Sequence, residues 1–148
     1  MKLNRRTALA GLLLATIPAR AFAAAAIPVK LYKNPDCSCC EGYAAYLKDN
    51  GFDVTVTPTN DLAEISRKAG VPAEYEGCHT AFIEGYVVDG HVPVEAIRKL
   101  LAERPAIAGI TLPGMPMGSP GMAGEKTGPF SIYAVTKDGD APTVYVTL

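Results

Sequence analysis

VKLYKNPDCSCC, residues 29–40, places three cysteines between a predicted strand and a predicted helix. Residues 29–32 alternate apolar and polar side chains, which is typical of a strand with one buried face. The Asn-Pro-Asp that follows has the composition of a turn, and its Asp36 is expected to cap the helix after it. Apolar side chains then recur at positions 40, 43, 44 and 47, the spacing of an amphipathic helix that Gly51 ends. The sequence therefore predicts that the cysteines lie at the N-terminus of the first helix.

The elements predicted further along the chain have the order of a thioredoxin-like fold. Residues 52–57 alternate as a second strand, and Asn60 or Asp61 caps a second helix that runs to about Ala69. Residues 80–83 and 86–88 form a hairpin around Glu84-Gly85, and Pro93 begins a third helix. Segments 131–135 and 143–146 are closing strands. We expect an α/β fold with a central mixed sheet flanked by helices.

A segment rich in glycine and proline, residues 105–129, separates the third helix from the closing strands. It contains Met115, Met117 and Met122, which are the only methionines after Met1. A structureless loop of this length in a small domain is usually functional or disordered. Thioethers are soft ligands that select Cu(I), so these side chains are predicted metal ligands. The alternative is that they cover the cysteines as an apolar lid.

The N-terminus has the features of a cleaved export signal. Lys2, Arg5 and Arg6 precede an apolar stretch at residues 8–17, and Ala21-Phe22-Ala23 has the pattern that signal peptidase recognises. The stretch is shorter than the about 20 residues that a membrane-spanning helix needs. Residues 4–9 also resemble a twin-arginine signal. We therefore expect a signal peptide at 1–23 and one periplasmic domain at 24–148, without a membrane anchor.

Charge and composition narrow the function classes. The chain is 49% hydrophobic, enough for a core, and its formal net charge is −1. Removal of residues 1–23 leaves ten basic and fifteen acidic side chains. This balance argues against nucleic-acid binding, which requires a basic patch. The sequence also contains no nucleophile elbow, Walker loop or H-E-x-x-H motif.

Four cysteines in an oxidising compartment would ordinarily form two disulfides. Cys39 and Cys40 are adjacent, so they could pair only in a strained vicinal disulfide. Pairing Cys37 with Cys40 instead leaves Cys39 to reach Cys78. That arrangement is compatible with disulfides, but clustered thiols are more typical of metal or redox chemistry. A helix N-terminus favours the thiolate form, which binds metals and attacks disulfides.

Soft sulfur ligands select Cu(I), or zinc in closed sites. In the predicted topology, Cys78 lies beside the N-terminus of the first helix and can complete a four-sulfur site. His79 adds an imidazole, a ligand for copper and zinc. His91 could supply a further imidazole, but contact with the hairpin or capping of the third helix is at least as good an expectation for it.

Together these residues resemble the CopG-type copper resistance proteins, a periplasmic thioredoxin-like family. The resemblance is carried by residues 32–40, 51–54, 78–81, 85–93 and 112–122. It implies that copper is bound by Cys37, Cys39, Cys40 and Cys78. His79, Met115, Met117 and Met122 would be auxiliary ligands. One departure is residues 43–46, Tyr-Ala-Ala-Tyr, where the family pattern has Trp and His.

The leading hypothesis is a periplasmic copper-binding protein that holds one or several Cu(I) ions for copper resistance or for cycling between Cu(I) and Cu(II). Its expected partners are copper ions and other periplasmic copper-handling proteins. The second hypothesis is a thiol-disulfide oxidoreductase that uses Cys37 and Cys40. The third is electron transfer by an iron–sulfur cluster, which also needs four cysteines but leaves the loop methionines without a role.

Overall fold

The structure is a computed structural model that describes residues 25–148. The predicted export signal, residues 1–23, lies outside this part of the chain. Among residues 25–148, no helix has both the length and the apolar character needed to cross a membrane.

Strands and helices alternate through most of the described chain. The strands are β1 (Ile27–Lys33), β2 (Phe52–Pro58), β3 (His79–Ile83), β4 (Tyr86–Asp89), β5 (Gly109–Thr111), β6 (Ser131–Val135) and β7 (Thr143–Thr147). The helices are α1 (Ser38–Asp49), α2 (Leu62–Lys68) and α3 (Val94–Glu103), with a short 3-10 helix at Ala73–Tyr75. The strands and helices predicted from periodicity are confirmed, with small shifts at their ends.

All of these strands form one mixed sheet in the order β2-β1-β3-β4-β5-β6-β7. β1 pairs in parallel with β2 and antiparallel with β3. β4 pairs antiparallel with β3 and in parallel with β5, and β6 and β7 extend the sheet in antiparallel fashion. The predicted α/β class, a mixed sheet flanked by helices and followed by C-terminal strands, is confirmed.

Hydrophobic side chains cover both faces of the sheet. The larger cluster joins the sheet to α1 and α3, where Leu47, Ile97 and Leu100 are fully buried. Along β4, Val88 belongs to this cluster, whereas Val87 belongs to a smaller one. Because successive side chains of a strand point to opposite faces, the smaller cluster lies on the other side of the sheet. β4 is therefore a central strand with both faces buried.

Two local expectations were wrong. The segment 105–129 is not wholly a loop, because it contains β5 beside β4. Three residues are too few to show alternation, and Gly109 packs so closely that a Cβ there would lie 1.8 Å from the Val87 carbonyl oxygen. Asp36 does not cap α1: the N-cap residue is Cys37, and its side chain makes no capping hydrogen bond.

Strand register places the two cysteine-bearing segments at one end of the sheet. Lys33, the last residue of β1, pairs with His79, the first residue of β3. Since these strands are antiparallel, the chain that leaves β1 and the chain that enters β3 meet at this end. The segment with Cys37, Cys39 and Cys40 therefore comes close to Cys78.

Candidate metal centre

Four sulfur atoms from two distant parts of the chain converge beside the N-terminus of α1. The Sγ atom of Cys78 lies 3.5 Å from that of Cys40 and 3.8 Å from that of Cys39. The Sγ atoms of Cys37 and Cys39 are 3.4 Å apart. All four sulfurs lie within 4.8 Å of one another. The predicted approach of Cys78 to the other cysteines is confirmed.

The structure shows this cluster in an oxidised form. Cys37 and Cys40 are joined by a disulfide, while Cys39 and Cys78 are free and half-buried. This is one of the pairings that the sequence left open. A disulfide sulfur is not a thiolate, so the four-sulfur donor set exists only when this bond is reduced.

A buried lysine organises the segment that carries the first three cysteines. The ammonium group of Lys33 donates hydrogen bonds to the backbone carbonyl oxygens of Asn34, Pro35 and Cys37, at 3.1–3.3 Å. It also forms an ion pair of 3.0 Å with Glu41 in the first turn of α1. The Lys33 side chain is 3% exposed, and burying its charge is unfavourable unless the ammonium group is paired. The hydrogen bonds and the ion pair offset this cost, and they also hold the turn against the helix.

Two imidazoles adjoin the sulfur of Cys78. Its Sγ lies 3.0 Å from Nε2 of His91 and 3.5 Å from Nδ1 of His79. These three residues form a second group whose donor atoms lie within 4.8 Å of one another. Cys78 thus belongs both to the sulfur cluster and to a mixed group of one sulfur and two nitrogens.

The tautomer of His91 follows from its hydrogen bonds. Nδ1 lies 2.7 Å from the carbonyl oxygen of Pro120, which can only accept a hydrogen bond. Nδ1 therefore carries the proton in the neutral ring, and the Nε2 lone pair faces Cys78. A backbone carbonyl that orients a histidine in this manner is a common arrangement around protein-bound metals.

His79 and His91 are both fully buried, and Tyr43 packs against them. The ring centroid of Tyr43 lies 4.4 Å from that of His79 and 5.4 Å from that of His91. The Tyr43 hydroxyl donates a hydrogen bond of 2.8 Å to the Val92 carbonyl oxygen. Burial, with a smaller contribution from the nearby His91, lowers the pKa of His79 to about 3. Burial also lowers the pKa of His91, so both rings are neutral and able to bind a metal at pH 7.

Burial has the opposite effect on the acids of the site. The pKa of the Cys78 thiol is raised to about 12, first by burial and then by the nearby Cys39. The pKa of Asp89, at the end of β4, is raised to about 6, mainly by burial. A metal that binds Cys78 must therefore displace a proton from its thiol at neutral pH.

The donor set fits a soft metal ion. Thiolates and imidazoles are the ligands that copper prefers, and they are concentrated here within one small volume. His79 supplies a further sign, because its buried Nε2 has no hydrogen-bond partner among the described residues. Unsatisfied buried nitrogens are rare and require a physical explanation, of which an ion is one.

The predicted methionines occupy different environments. Met115 and Met117 are 53% and 60% exposed, whereas Met122 is half-buried. Next to Met122, Gly121 packs against α1: a Cβ there would lie 2.5 Å from the backbone nitrogen of Tyr43 and 2.9 Å from the Cys39 carbonyl oxygen. The loop backbone at residues 120–121 therefore reaches the cysteine segment, while the two exposed thioethers face solvent.

Two solved structures match this chain closely. They are described as "Copper resistance protein copG- Form 1" and "Copper resistance protein copG- Form 2". Each is 34% identical, has a TM-score of 0.76, and is matched over 83% of this chain and 98% of its own length. The chain belongs to the CopG-type copper resistance protein family. A family model described as "Protein of unknown function, DUF411" matches residues 75–122, and no curated protein matches.

Membership in the CopG-type family confirms the resemblance drawn from the sequence. The residues that the family model matches include Cys78, His79, His91 and all three loop methionines. The family and the cysteine cluster together support a copper-related function.

The sequence did not predict the position of His91. It was expected to contact the hairpin or cap α3, but its Nε2 lies against the sulfur of Cys78. The register of the hairpin between β3 and β4 could have predicted this position. Pairing across Glu84-Gly85 sets Thr80 opposite Asp89, and one more pair places His79 opposite Gly90. The next pair in that register is Cys78 and His91.

Proposed function

We propose that this protein binds copper, as Cu(I), through Cys37, Cys39, Cys40 and Cys78, and that it acts in the periplasm in copper resistance. The observation that carries the proposal is the convergence of four sulfurs from two segments within 4.8 Å. Sulfur donors at this density can serve more than one soft ion by sharing thiolates. The copper resistance proteins of similar structure support the choice of copper over iron or zinc.

His79, His91 and the loop methionines are proposed as auxiliary donors. The imidazoles adjoin Cys78, and a nitrogen donor suits Cu(II) as well as Cu(I). This mixed donor set is compatible with both oxidation states of copper. The thioethers of Met115 and Met117 are exposed, which suits the uptake or release of Cu(I) at the surface. Met122 is half-buried and follows Gly121, whose backbone packs against the cysteine segment.

An anaerobic Cu(I) titration of fully reduced protein, residues 24–148, tests the proposal. We expect tight copper retention against a chromophoric chelator and a sulfur-dominated first shell in X-ray absorption at the copper edge. Cys78→Ser should weaken retention by about tenfold or more, because one thiolate of a soft-metal site is lost. Ser38→Ala is the matched control, since Ser38 is an exposed residue between the cysteines. Reduced protein that retains no copper would exclude the proposed function.

The same titration under oxidising conditions gives a further result. With the Cys37–Cys40 disulfide formed, only Cys39 and Cys78 remain as free thiols. We therefore expect the oxidised protein to bind Cu(I) more weakly than the reduced protein. Equal affinity of the two forms would show that Cys37 and Cys40 are not ligands.

A second candidate function, thiol-disulfide oxidoreductase activity, is favoured by the disulfide itself. Cys37 and Cys40 form a C-x-x-C pair at a helix N-terminus, the usual location of such an active site. The third thiol, Cys39, lies 3.4 Å from the Cys37 sulfur and competes as a partner. Insulin reduction by metal-free protein, lost in Cys37→Ser, would support this function over copper binding.

Export and processing at residues 1–23 form part of the proposal. The basic, apolar and small-residue regions of the N-terminus support it. Cell fractionation followed by intact-mass measurement should find the protein in the periplasm with Ala24 as its first residue. A cytoplasmic protein of full mass would contradict this part of the proposal.

A further inference from the structure

Asp89 is a buried carboxylate that the proposed copper site does not use as a ligand. It is the last residue of β4 and is 0% exposed. Within residues 25–148 it forms no ion pair with a lysine or arginine. Burying a carboxylate is costly unless its oxygens receive hydrogen bonds, so the groups that donate to Asp89 indicate its role.

The hydrogen bonds of Asp89 reach both sides of Cys78. Its Oδ1 accepts a hydrogen bond of 2.5 Å from the backbone N–H of Gly77, the residue before Cys78. Its Oδ2 accepts one of 2.7 Å from the hydroxyl of Thr80, two residues after Cys78. The Thr80 hydroxyl in turn lies 2.6 Å from that of Ser66 in α2. One carboxylate thus bridges the chain on either side of the sulfur ligand.

The segment that carries Cys78 is held by individual contacts and not by a helix or strand of its own. Residues 76–78 lie between the 3-10 helix and β3, outside any helix or strand. Gly77 also approaches Gly90 so closely that a Cβ on Gly77 would lie 2.4 Å from the Gly90 Cα atom. A residue with glycine's conformational freedom needs external contacts to stay in one position. The carboxylate of Asp89 provides such a contact at the residue preceding Cys78.

We propose that Asp89 is a positioning residue, which holds the Cys78 sulfur against the other three cysteines without binding the metal itself. The hydrogen bonds to Gly77 and Thr80 carry this inference. Its consequence for copper rests on the proposed function, whereas its consequence for the thiol applies to the metal-free protein. A purely structural brace would affect stability without acting selectively on Cys78.

Alkylation of the reduced, metal-free protein tests whether Asp89 restrains the Cys78 thiol. Iodoacetamide is added under native conditions, and mass spectrometry follows Cys78 and Cys39 separately. We expect Asp89→Ala to accelerate modification of Cys78 by roughly tenfold or more, the effect of losing hydrogen bonds to a charged group, with Cys39 changed less than about twofold. Asp89→Asn, which keeps an acceptor for the Gly77 N–H, should restore part of the protection.

The control is Tyr86→Phe. Tyr86 also lies in β4, and the substitution removes its hydrogen bond to the Pro105 carbonyl oxygen, a contact remote from the cysteines in sequence. It should lower stability without selective exposure of Cys78. If Asp89→Ala does not fold, Thr80→Val replaces it: this variant removes the hydrogen bond to Oδ2 of Asp89 and should also accelerate modification of Cys78 more than that of Cys39. Equal acceleration at Cys39 and Cys78, or no acceleration at either, would overturn the proposal.

A double-mutant cycle tests the consequence of this proposal for copper binding. Asp89→Ala should reduce the number of sulfurs bound to Cu(I) to that found for Cys78→Ser, and should change nothing further in the Cys78→Ser background. An effect of equal size in both backgrounds would overturn the proposal. If the unsubstituted protein retains no copper, the proposed function fails, and the alkylation rates alone decide the role of Asp89.

Discussion

Asp89 and His79 are buried ionisable residues whose protonation affects stability in opposite directions. The pKa of Asp89 is raised from its usual value of 3.8 to about 6, mainly by burial. Hydrogen bonds from Thr80 and Gly77 lower this pKa and so offset part of the shift, whereas the charge of Glu76 raises it. The folded state therefore holds the Asp89 proton more tightly than the unfolded state. Burial lowers the pKa of His79 from 6.5 to about 3, so the unfolded state binds that proton more tightly.

We predict that Asp89 makes the metal-free, reduced protein less stable as the pH rises from about 4 to about 6. The stabilising protonated form is fully present below the unfolded pKa and is lost as the pH passes the folded pKa. The shift corresponds to a change on the order of 3 kcal/mol in the free energy of unfolding.

The measurement compares urea unfolding of the unsubstituted protein and Asp89→Asn at a series of pH values. The contribution of His79 is present in both proteins and cancels in their difference. The free energy of unfolding of Asp89→Asn should increase relative to that of the unsubstituted protein as the pH rises from 4 to 6. From pH 7 to 8 the difference between the two proteins should remain constant. A difference that does not depend on pH would contradict the prediction.

The turn between β1 and α1 depends on the buried ammonium group of Lys33. We predict that Lys33→Met lowers the free energy of unfolding by about 1–3 kcal/mol, because three backbone carbonyl oxygens lose a charged donor. It should also weaken Cu(I) retention, since the turn includes Cys37. Urea unfolding and the chelator competition measure the two effects.

Lys30→Met is the matched control for this prediction. Lys30 lies on the same strand but is exposed, so its replacement should change stability by less than about 0.5 kcal/mol. If the two variants lose equal stability, the contacts of Lys33 with the turn do not matter for the fold.

The loop between β5 and β6 contacts α1 at Gly121. Gly121 has φ +80°, and a Cβ there would lie 2.5 Å from the backbone nitrogen of Tyr43. We predict that Gly121→Ala costs about 1 kcal/mol for the backbone conformation and a further 1–3 kcal/mol for the overlap. It should also move Pro120 away from His91, which nitrogen NMR of the imidazole would detect.

Gly114→Ala separates the cost of the backbone conformation from the cost of the steric overlap. Gly114 has φ +69°, but no atom lies within 4 Å of a Cβ built on it. Thermal unfolding of this variant should show the backbone term alone, with the His91 resonances unchanged. Equal losses for the two variants would mean that packing of the loop on α1 contributes nothing.

At the scale of the whole molecule, the C-terminal strands belong to the same folding unit as the thioredoxin-like part. Ile110 in β5 and Ile132 in β6 are fully buried in the larger hydrophobic cluster, together with residues of α1 and α3. We predict that residues 24–148 unfold in one cooperative transition, and that residues 24–104 alone do not fold. Circular dichroism and tyrosine fluorescence should give coincident unfolding curves for the longer chain.

Deletion of residues 143–148 is the comparison for this prediction. It removes only β7 and Leu148, and no residue of β7 is fully buried. The shortened chain should keep a cooperative transition at a lower temperature. A stable, cooperative fragment of residues 24–104 would show that the C-terminal strands are instead an independent addition.

Most helices and strands could be predicted from sequence because their periodicity is local. The stripe at 40, 43, 44 and 47 predicted α1, and alternation predicted β1 and β2. β5 could not be predicted in this manner, since its three residues become a strand only by pairing with β4. The site followed the same division: the cysteines and His79 were recognisable by residue type and spacing, whereas His91 was not.

Residue types and local spacing by themselves determined the donor chemistry, the order of the main elements and the family resemblance. Only tertiary structure decided that Cys37 pairs with Cys40, that His91 faces Cys78, and that Asp89 and Lys33 form hydrogen bonds with the segments carrying the cysteines. These features depend on contacts between side chains and strands brought together by sheet register and chain closure. A local pattern specifies which face of an element is buried, but not which distant group it meets there.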